Sequence, residues 1–470
     1  MNISKKSIIV VFLALCMLSF AACQKNDADS IIKADGTELY ENSFSAVEKN
    51  GNAVITDCYV TGDNIVIPEK IESITVTEIG DEAFKQTNCK SIDMPDSIVK
   101  IGNGAFEGAF ELTNISFSSS LTEIGERAFY DIDTLTSVNL PDSLISIGNE
   151  AFYDCDALTN IKFPNSMEQV GDKAFFSCNS LVTAYISKGI KRIGTDAFSS
   201  LTNLQSFDVD SSNTAYITID GVLFNKDKTE LIVYPKEKRN LEYIVPEAVV
   251  KIYPYAFSEN QYLKNITLPN SLKEIGQSCF YQCKLLRNIE IPKDVTVIAP
   301  YTFSGCEQLK QVDIPDKVTI IDHSAFAMCE ELENVTLPES LITIGQNAFS
   351  GCYQAFEKLT IPSNVTSIGN KAFNECYFIS DLSLPNYLNE IGEMAFRACY
   401  CLKKIAIPDN VTTIGDDAFL GCGNIDKVVD SMDGEIPLVA LDNKAVTFIC
   451  NEDSCAFTYA QKHDISVELQ

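Results

Sequence analysis

The sequence contains no Trp and only two His residues among its 470, which leaves little material for His-based catalysis or metal binding. After the first 22 residues it also lacks any apolar run long enough to span a bilayer. Its charge is one-sided, since 65 acidic residues against 36 basic ones give a formal net charge of −29. Binding of nucleic acid is therefore not expected. We attribute the acidity to solubility rather than to a specific basic partner or calcium.

The N-terminus has the three parts of a secretory signal peptide. Lys5 and Lys6 form a basic start, an apolar run covers residues 8–20, and Ala21-Ala22-Cys23 follows. This end resembles the lipobox of bacterial lipoproteins, in which the Cys becomes the lipidated first residue of the mature chain. We therefore predict a signal peptide over 1–22, lipid attachment at Cys23 and anchorage to the membrane at a bacterial cell surface, with ordinary secretion or an uncleaved anchor as alternatives. The polar stretch 23–36 is predicted to be a flexible tether.

An internal repeat dominates the rest of the chain. Motifs of the form Ile-Gly-x-x-Ala-Phe recur every 22 to 24 residues, with one longer gap between Phe198 and Phe257. A period of this length indicates a solenoid, because one short unit cannot bury its apolar side but stacked units bury a continuous core. The fourteen repeat phenylalanines are Phe84, Phe106, Phe129, Phe152, Phe175, Phe198, Phe257, Phe280, Phe303, Phe326, Phe349, Phe373, Phe396 and Phe419.

One repeat unit predicts the path of a coil. In the unit that starts at Leu158, residues 161–163 alternate apolar and polar side chains, and Pro164 ends this short strand. A second extended piece and a tight turn at Gly171 follow, and the Ala-Phe pair is predicted to begin a brief helical or 3-10 turn. The fold class is thus a repeat solenoid in which short parallel β-strands stack into a curved sheet of about fifteen coils, each roughly 4.8 Å along the axis.

The breaks in the pattern mark the segments. A capping segment with the first coil is predicted over 37–83, repeats over 84–210 and 246–430, and a C-terminal cap over 431–470. The gap between Phe198 and Phe257 equals one repeat plus 36 residues, and residues 211–245 predict a β-hairpin insertion. This hairpin is either a spacer or a dedicated binding element.

The repeat consensus resembles a known family. The segment Leu402-Lys-Lys-Ile-Ala-Ile-Pro-Asp-Asn-Val-Thr-Thr-Ile-Gly-Asp-Asp-Ala-Phe-Leu-Gly-Cys422 matches each position of the BspA-like leucine-rich repeat, and the resemblance covers roughly 400 residues. It implies a leucine-rich-repeat solenoid. It also implies a surface or secreted bacterial protein involved in adhesion to host matrix proteins, epithelium or other microbes.

Catalytic constellations and cofactor motifs are not recognisable. Hydrolysis or group transfer needs a positioned nucleophile and base, paired acids or a metal, whereas the repeats offer one isolated His323 and no Gly-rich phosphate loop. We predict no enzyme activity, no cofactor and no metal. Nine of the 17 Cys fall three residues after a repeat Phe and predict a buried ladder of free thiols, although stacked neighbours lie within disulfide range. Cys450 and Cys455 lie outside this ladder and are the better disulfide candidates.

Two sets of aromatic residues are the best candidate binding sites. The strand pattern turns mostly small polar residues outward, with Tyr185 as the aromatic exception, whereas tight interfaces centre on aromatic or Arg anchors. Stacked aromatics could contact a protein or a sugar, or merely cover the neighbouring coil. The first set follows the repeat Phe and the second follows the repeat Cys: Tyr130, Tyr153 and Phe176, then Tyr353, Tyr377 and Tyr400.

The predicted function is that of a non-catalytic surface protein. As an adhesin-like module it would contact a protein or glycan ligand on a host or microbial surface. The alternative is a carbohydrate-binding or cell-envelope scaffold lipoprotein, for which the tyrosines would act as sugar platforms.

Overall fold

The computed structural model describes residues 38–41, 44–60, 62–423 and 446–470. The described chain forms a solenoid of about 17 turns with very little helix. The predicted fold class is therefore confirmed. The signal peptide, Cys23 and the tether lie outside the described residues, as does the start of the C-terminal cap.

Most regular coils contribute two short strands to two parallel rows, whereas the coils that contain Val138 and Val335 have no strand in the first row. The strand before the Pro corner alternates exposed, buried and exposed residues, so its central apolar residue packs into the core. These strands form the first row: Asn64–Val66, Ser91–Asp93, Asn114–Ser116, Asn160–Lys162, Thr183–Ile186, Ser206–Val209, Glu242–Ile244, Asn265–Thr267, Asn288–Glu290, Gln311–Asp313, Lys358–Thr360, Asp381–Ser383, Lys404–Ala406, Thr447–Cys450 and Ser466–Leu469.

The strand before each Ile-Gly turn belongs to the second row. Its register places equivalent residues of adjacent coils opposite each other, for example Ile147 opposite Val170. The strands of this row are Ile74–Ile79, Lys100–Ile101, Glu123–Ile124, Ser146–Ile147, Gln169–Val170, Arg192–Ile193, Glu230–Val233, Lys251–Ile252, Glu274–Ile275, Val297–Ile298, Ile320–Ile321, Thr343–Ile344, Ser367–Ile368, Glu390–Ile391 and Thr413–Ile414.

The two ends of the solenoid are covered by different elements. At the N-terminal end, antiparallel strands Glu38–Glu41, Phe44–Lys49 and Asn52–Cys58 join the second row through a parallel pairing with Ile74–Ile79, which also pairs with the short strand Lys70–Ile71. At the C-terminal end, the helix Cys455–Lys462 buries Tyr459 and Ala460. Both ends of the apolar stack are thereby shielded from water.

A ladder of phenylalanine rings forms the centre of the core. The repeat phenylalanines are buried, and successive rings within each half of the ladder have centroids 5.0 to 5.5 Å apart. The predicted thiol ladder is confirmed, because all nine of its cysteines are buried and free. Each of these thiols donates to the carbonyl oxygen of the repeat Phe in the preceding coil, with Sγ to O distances of 3.0 to 3.5 Å.

The segment around each Ala-Phe pair consists of consecutive turns rather than the predicted helical or 3-10 turn. Left-handed φ angles recur twice in it, as at Lys173 and Ser177, and these prevent a helix from continuing. Alternate amides instead donate to the next coil: Lys173 to Thr195, Phe175 to Ala197 and Ser177 to Ser199, over 2.9 to 3.1 Å. The turns therefore add a third line of hydrogen bonds between coils.

The glycine of each Ile-Gly pair is required by close approach between coils. At Gly171 an added Cβ would lie 2.4 Å from the carbonyl carbon of Gly148 and 2.5 Å from the amide nitrogen of Asn149. Gly171 was predicted from the need for a tight turn, but the structure requires glycine here because two backbones approach closely. The backbone of one coil rests directly on that of the previous coil, which leaves no room for a side chain.

The insertion is shorter than predicted and lies within the stack. Tyr234 takes the place of a repeat Phe, 36 residues after Phe198 and 23 before Phe257, so the long gap holds a complete coil. The extra residues form strands Tyr216–Ile219 and Val222–Asn225, and the latter pairs antiparallel with Glu230–Val233 of the second row. The predicted hairpin is present, with an additional strand on its outer side.

Candidate functional site

The first aromatic set forms a continuous, half-buried row that we call the first stripe, comprising Tyr130, Tyr153 and Phe176. The rings of Tyr130 and Tyr153 lie 4.9 Å apart and nearly parallel, and those of Tyr153 and Phe176 lie 5.1 Å apart. Each ring follows the buried repeat Phe of its coil, so the repeat register holds them in line. The stacked faces cover one another, and the exposed parts are ring edges and tyrosine hydroxyl groups.

An arginine fixes one end of the first stripe. The guanidinium of Arg127 lies 3.7 Å from the ring centre of Tyr130. The same guanidinium donates to Glu107 at 2.9 Å and to Glu150 at 3.0 Å, which belong to the coils on either side. This bridge across three coils holds Tyr130 in place and covers the outer face of its ring.

Carboxylates surround the first stripe. Partial burial raises the pKa of Asp131, and the nearby Asp133 and Asp154 raise it further. The pKa of Asp154 is raised in the same way, by burial first and then by Asp156. A raised pKa means that the charged form is poorly compensated. The surface beside the stripe is therefore acidic, and it favours a partner that carries basic groups.

Tyr255 extends the first stripe across the insertion. Its ring lies 6.3 Å from that of Phe176 in an edge-to-face arrangement. Tyr255 belongs to the coil of Phe257, so the coils of Phe198 and Tyr234 lie between it and the coil of Phe176. Sequence reasoning missed this residue because it occupies a different position in the repeat from the other three. In the sequence, the position of this ring is indicated only by the segment Tyr253-Pro254-Tyr255, which follows a second-row strand.

The second aromatic set is mostly covered. The rings of Tyr353, Tyr377 and Tyr400 stack with centroids 4.8 and 4.9 Å apart, but Tyr377 and Tyr400 are each only 7% exposed. Ala398 and Phe378 pack against them. Burial raises the pKa of Tyr353 and of Tyr400. This arrangement corresponds to the covering role that was the alternative for these residues, and it leaves Tyr353 as the most accessible of the three.

The outward side of the first row is polar. Tyr185 is half-buried, donates its hydroxyl to Asp210 at 3.0 Å and lies 5.6 Å from the Lys162 ammonium. A shallow depression of about 500 Å³ lies further along the same surface and includes Asn265 and Asn288. These side chains offer hydrogen bonds but no buried anchor, which suits a wide and weak contact.

Groups suited to catalysis or metal binding are dispersed in the part of the chain that the structure describes. There, no group of three or more His, Cys, Asp or Glu side chains could hold a metal ion. His323 Nδ1 lies 3.1 Å from Asp322, and its ring packs edge-to-face on Tyr301. Cys450 and Cys455, the disulfide candidates, are free thiols, as are the other described cysteines.

The family follows from comparison of the repeats with family models. The model of the BspA type leucine rich repeat region matches in 6 copies over residues 51–138, 77–205, 128–244, 236–355 and 296–426. The chain belongs to the BspA-type leucine-rich repeat family. The predicted resemblance is therefore confirmed. No curated protein sequence matches this BspA-type chain.

Solved structures of bacterial repeat proteins share this fold. A leucine rich cell surface protein from Faecalibacterium prausnitzii is 27% identical, with a TM-score of 0.56 over 76% of this chain and 96% of its own. The pneumococcal vaccine antigen PcpA is 23% identical, with a TM-score of 0.56 over 93% of this chain and 99% of its own. A leucine-rich repeat protein from Eubacterium ventriosum is 24% identical, with a TM-score of 0.57 over 83% and 95%.

Of these proteins, the one from Faecalibacterium prausnitzii is described as a cell surface protein. Within the described ranges, no helix is long and apolar enough to cross a membrane.

Proposed function

We propose that this BspA-type protein is a non-catalytic, adhesin-like surface protein that binds a protein partner through the first stripe. The observation that supports this proposal is the accessible row of stacked aromatic edges, held by Arg127 and surrounded by carboxylates. Aromatic and arginine side chains are the groups that most often anchor protein interfaces. The acidic surroundings favour a basic protein segment, such as one exposed by a host matrix protein or another microbe.

A protein suits the first stripe better than a sugar does. A sugar ring that stacks on an aromatic side chain needs an open ring face. In the stripe, the faces of Tyr130 and Tyr153 cover each other at 4.9 Å, and Arg127 lies over Tyr130. The ring edges and the tyrosine hydroxyl groups remain uncovered. The edges can pack against the side chains of a peptide, and the hydroxyl groups can form hydrogen bonds with it.

Binding of the mature protein to immobilised matrix proteins and to microbial cells tests this function. Tyr153→Ala should weaken binding by at least tenfold, because a central interface residue is worth about 2 kcal/mol or more. Tyr387→Ala is the matched control, since Tyr387 is 71% exposed and lies outside the stripe. Equal binding by both variants, or binding to no protein on the panel at high avidity, would reject the proposal.

We also propose that the protein is anchored through a lipid on Cys23. The support is the signal-peptide pattern and the membership of a family with cell-surface relatives. Metabolic labelling with palmitate should mark the wild-type mature chain, and Cys23→Ala should abolish the label. Cys401→Ala is the control for labelling at another partly exposed thiol. Label that persists in Cys23→Ala would reject this anchor.

A further inference from the structure

The insertion leaves an open polar depression of about 630 Å³ on the side of the solenoid formed by the turns. It lies where the coil of Tyr234 meets its neighbours. Its size falls within the range of small-molecule sites in proteins. The residues that matter for its chemistry are Asn203, Lys236, Glu237, Glu259, Tyr281 and Gln282.

The depression exists because the chain changes course after Tyr234. In neighbouring coils the second residue after the repeat Phe has a left-handed φ, as at Ser200 and Glu259, and continues the line of turns. Lys236 occupies this position without a left-handed φ, and the next amide, of Glu237, turns back to donate to the Leu204 carbonyl at 2.9 Å. The regular wall of turns is thereby interrupted.

Charges in the depression compensate one another. Lys236 is 8% exposed, and its ammonium lies 2.5 Å from the Glu259 carboxylate. Glu237 accepts hydrogen bonds from the Tyr262 hydroxyl at 2.9 Å and from Arg239 at 3.2 Å. Each carboxylate therefore has a cation beside it. A strongly ionic ligand would have to displace one of these pairs, which disfavours it.

The remaining groups suit a neutral ligand rich in hydroxyl groups. Asn203 donates one amide hydrogen to the Asn179 carbonyl oxygen at 2.8 Å. Its other amide hydrogen and its Oδ1, together with the Gln282 amide, can donate to and accept from a sugar hydroxyl. Tyr281 supplies the one aromatic surface of this lining, and no deep apolar pocket is present for an apolar side chain or a lipid tail. Polar groups fixed by their own bonds, such as Lys236 against Glu259, would orient the ligand without first being ordered.

We propose that this depression binds a short neutral saccharide. The site is separate from the first stripe and goes beyond the proposed protein-binding function. It gives the insertion a role other than that of a spacer, because Lys236 and Glu237, which line the depression, belong to the coil that the insertion alters.

Calorimetric titration of the mature protein with cellotriose, maltotriose and N-acetyllactosamine tests the site, with a heparin tetrasaccharide as the charged comparison. At least one neutral saccharide should bind, and Gln282→Ala and Asn203→Ala should each weaken it by about tenfold, the effect of losing one well-placed group. Gln346→Ala removes an exposed amide outside the depression and is the matched control. Unchanged thermal unfolding of the variants would show that they remain folded.

Three results would overturn the saccharide site. They are no binding of any neutral saccharide, wild-type affinity in both depression variants, and preference for the heparin fragment. Tyr153→Ala should leave saccharide binding unchanged while it weakens protein binding. Failure of the saccharide titration alone would therefore leave the stripe intact, and failure of the protein panel alone would leave the depression intact.

Discussion

The ring of Tyr234 lies 4.8 Å from that of Phe257 and occupies the core position that a phenylalanine fills in the regular coils. Its hydroxyl oxygen is buried and has no hydrogen-bond partner among the described residues. Burial also raises the pKa of this phenol. An unsatisfied buried hydroxyl costs free energy on folding. At the core position of the repeat Phe, the coil at the insertion therefore carries a buried hydroxyl oxygen that a phenylalanine lacks.

Tyr234→Phe should stabilise the protein by about 1 kcal/mol, because the buried hydroxyl disappears and the ring stack remains. Urea unfolding followed by circular dichroism measures the change. Phe303→Tyr makes the reverse substitution in a regular coil, where it should destabilise by about 1 to 3 kcal/mol. A loss of stability in Tyr234→Phe would show that the hydroxyl is satisfied.

The repeat period predicted most of the fold, but it could not predict the structure where the repeat is interrupted. The buried faces of the strands, the phenylalanine ladder and the buried thiols all follow because the same kind of side chain returns at the same position in every coil. Tyr234 was missed because a pattern built on Ala-Phe does not recognise Val-Tyr-Pro, although its spacing of 23 residues from Phe257 was visible.

The candidate site was less predictable than the fold. Both aromatic sets stack as their spacing indicates, yet only the first remains accessible, since the cover over Tyr377 and Tyr400 comes from Phe378 and Ala398. The depression depends on one change of backbone direction at Lys236, which no periodic pattern contains.

Gly171→Ala should destabilise the protein by about 1 to 3 kcal/mol, the usual cost of forcing extra atoms into a packed interior. The new Cβ would lie 2.4 Å from backbone of the preceding coil, so two coils must separate. Thermal and urea unfolding report the loss. Gln169→Ala lies in the same coil on an exposed strand position and should change stability little. Equal stability of both variants would contradict the close approach.

Asp196→Asn should stabilise the protein at pH 7 by about 1 kcal/mol, a value that allows for solvent screening. Burial raises the pKa of Asp196 to about 6, above its unfolded value, so the charged carboxylate opposes folding at neutral pH. The protonated Asp196 side chain stabilises the folded state, and this contribution is complete below about pH 3.9 and is lost as pH rises through 6. The gain in the variant should therefore vanish near pH 3.5.

Urea midpoints at pH 3.5, 5 and 7 check this dependence, with the exposed Asp208→Asn as the control. Asparagine keeps the oxygen that accepts from Ser199, and it tolerates the left-handed φ of 58° at this position. A gain of equal size at pH 3.5 and pH 7 would mean that ionisation of Asp196 is not its cause.

The ladder thiols should resist modification in the folded protein. Burial raises the pKa of Cys178 to about 12, and the pKa of Cys306 is raised in the same direction, so little reactive thiolate forms at pH 8. A disulfide reagent should titrate partly exposed thiols first, such as Cys401 and Cys455, and the ladder only after urea is added. Rapid reaction of the ladder in the native protein would contradict its burial.

Alkaline pH should destabilise the fold through the same thiols. Their folded pKa values lie above the unfolded value of about 8.5, so their stabilising effect is complete below that pH and declines as pH rises toward 12. Unfolding midpoints between pH 8 and 10.5 should fall in the wild type. Cys178→Ala should show a smaller fall, and an identical slope in both would assign the effect to other groups.

The strand Val222–Asn225 alternates between two separate bodies of apolar side chains. Leu223 packs with the residues on the N-terminal side, whereas Val222 and Phe224 pack with those on the C-terminal side. In a repeat array, loss of structure spreads from one unit to the next until an interface of different strength stops it. We expect this strand to act as such an interface, because the apolar core is divided there. A proteolytic cut in one half should then leave the other half folded, which would confine the damage to part of the molecule.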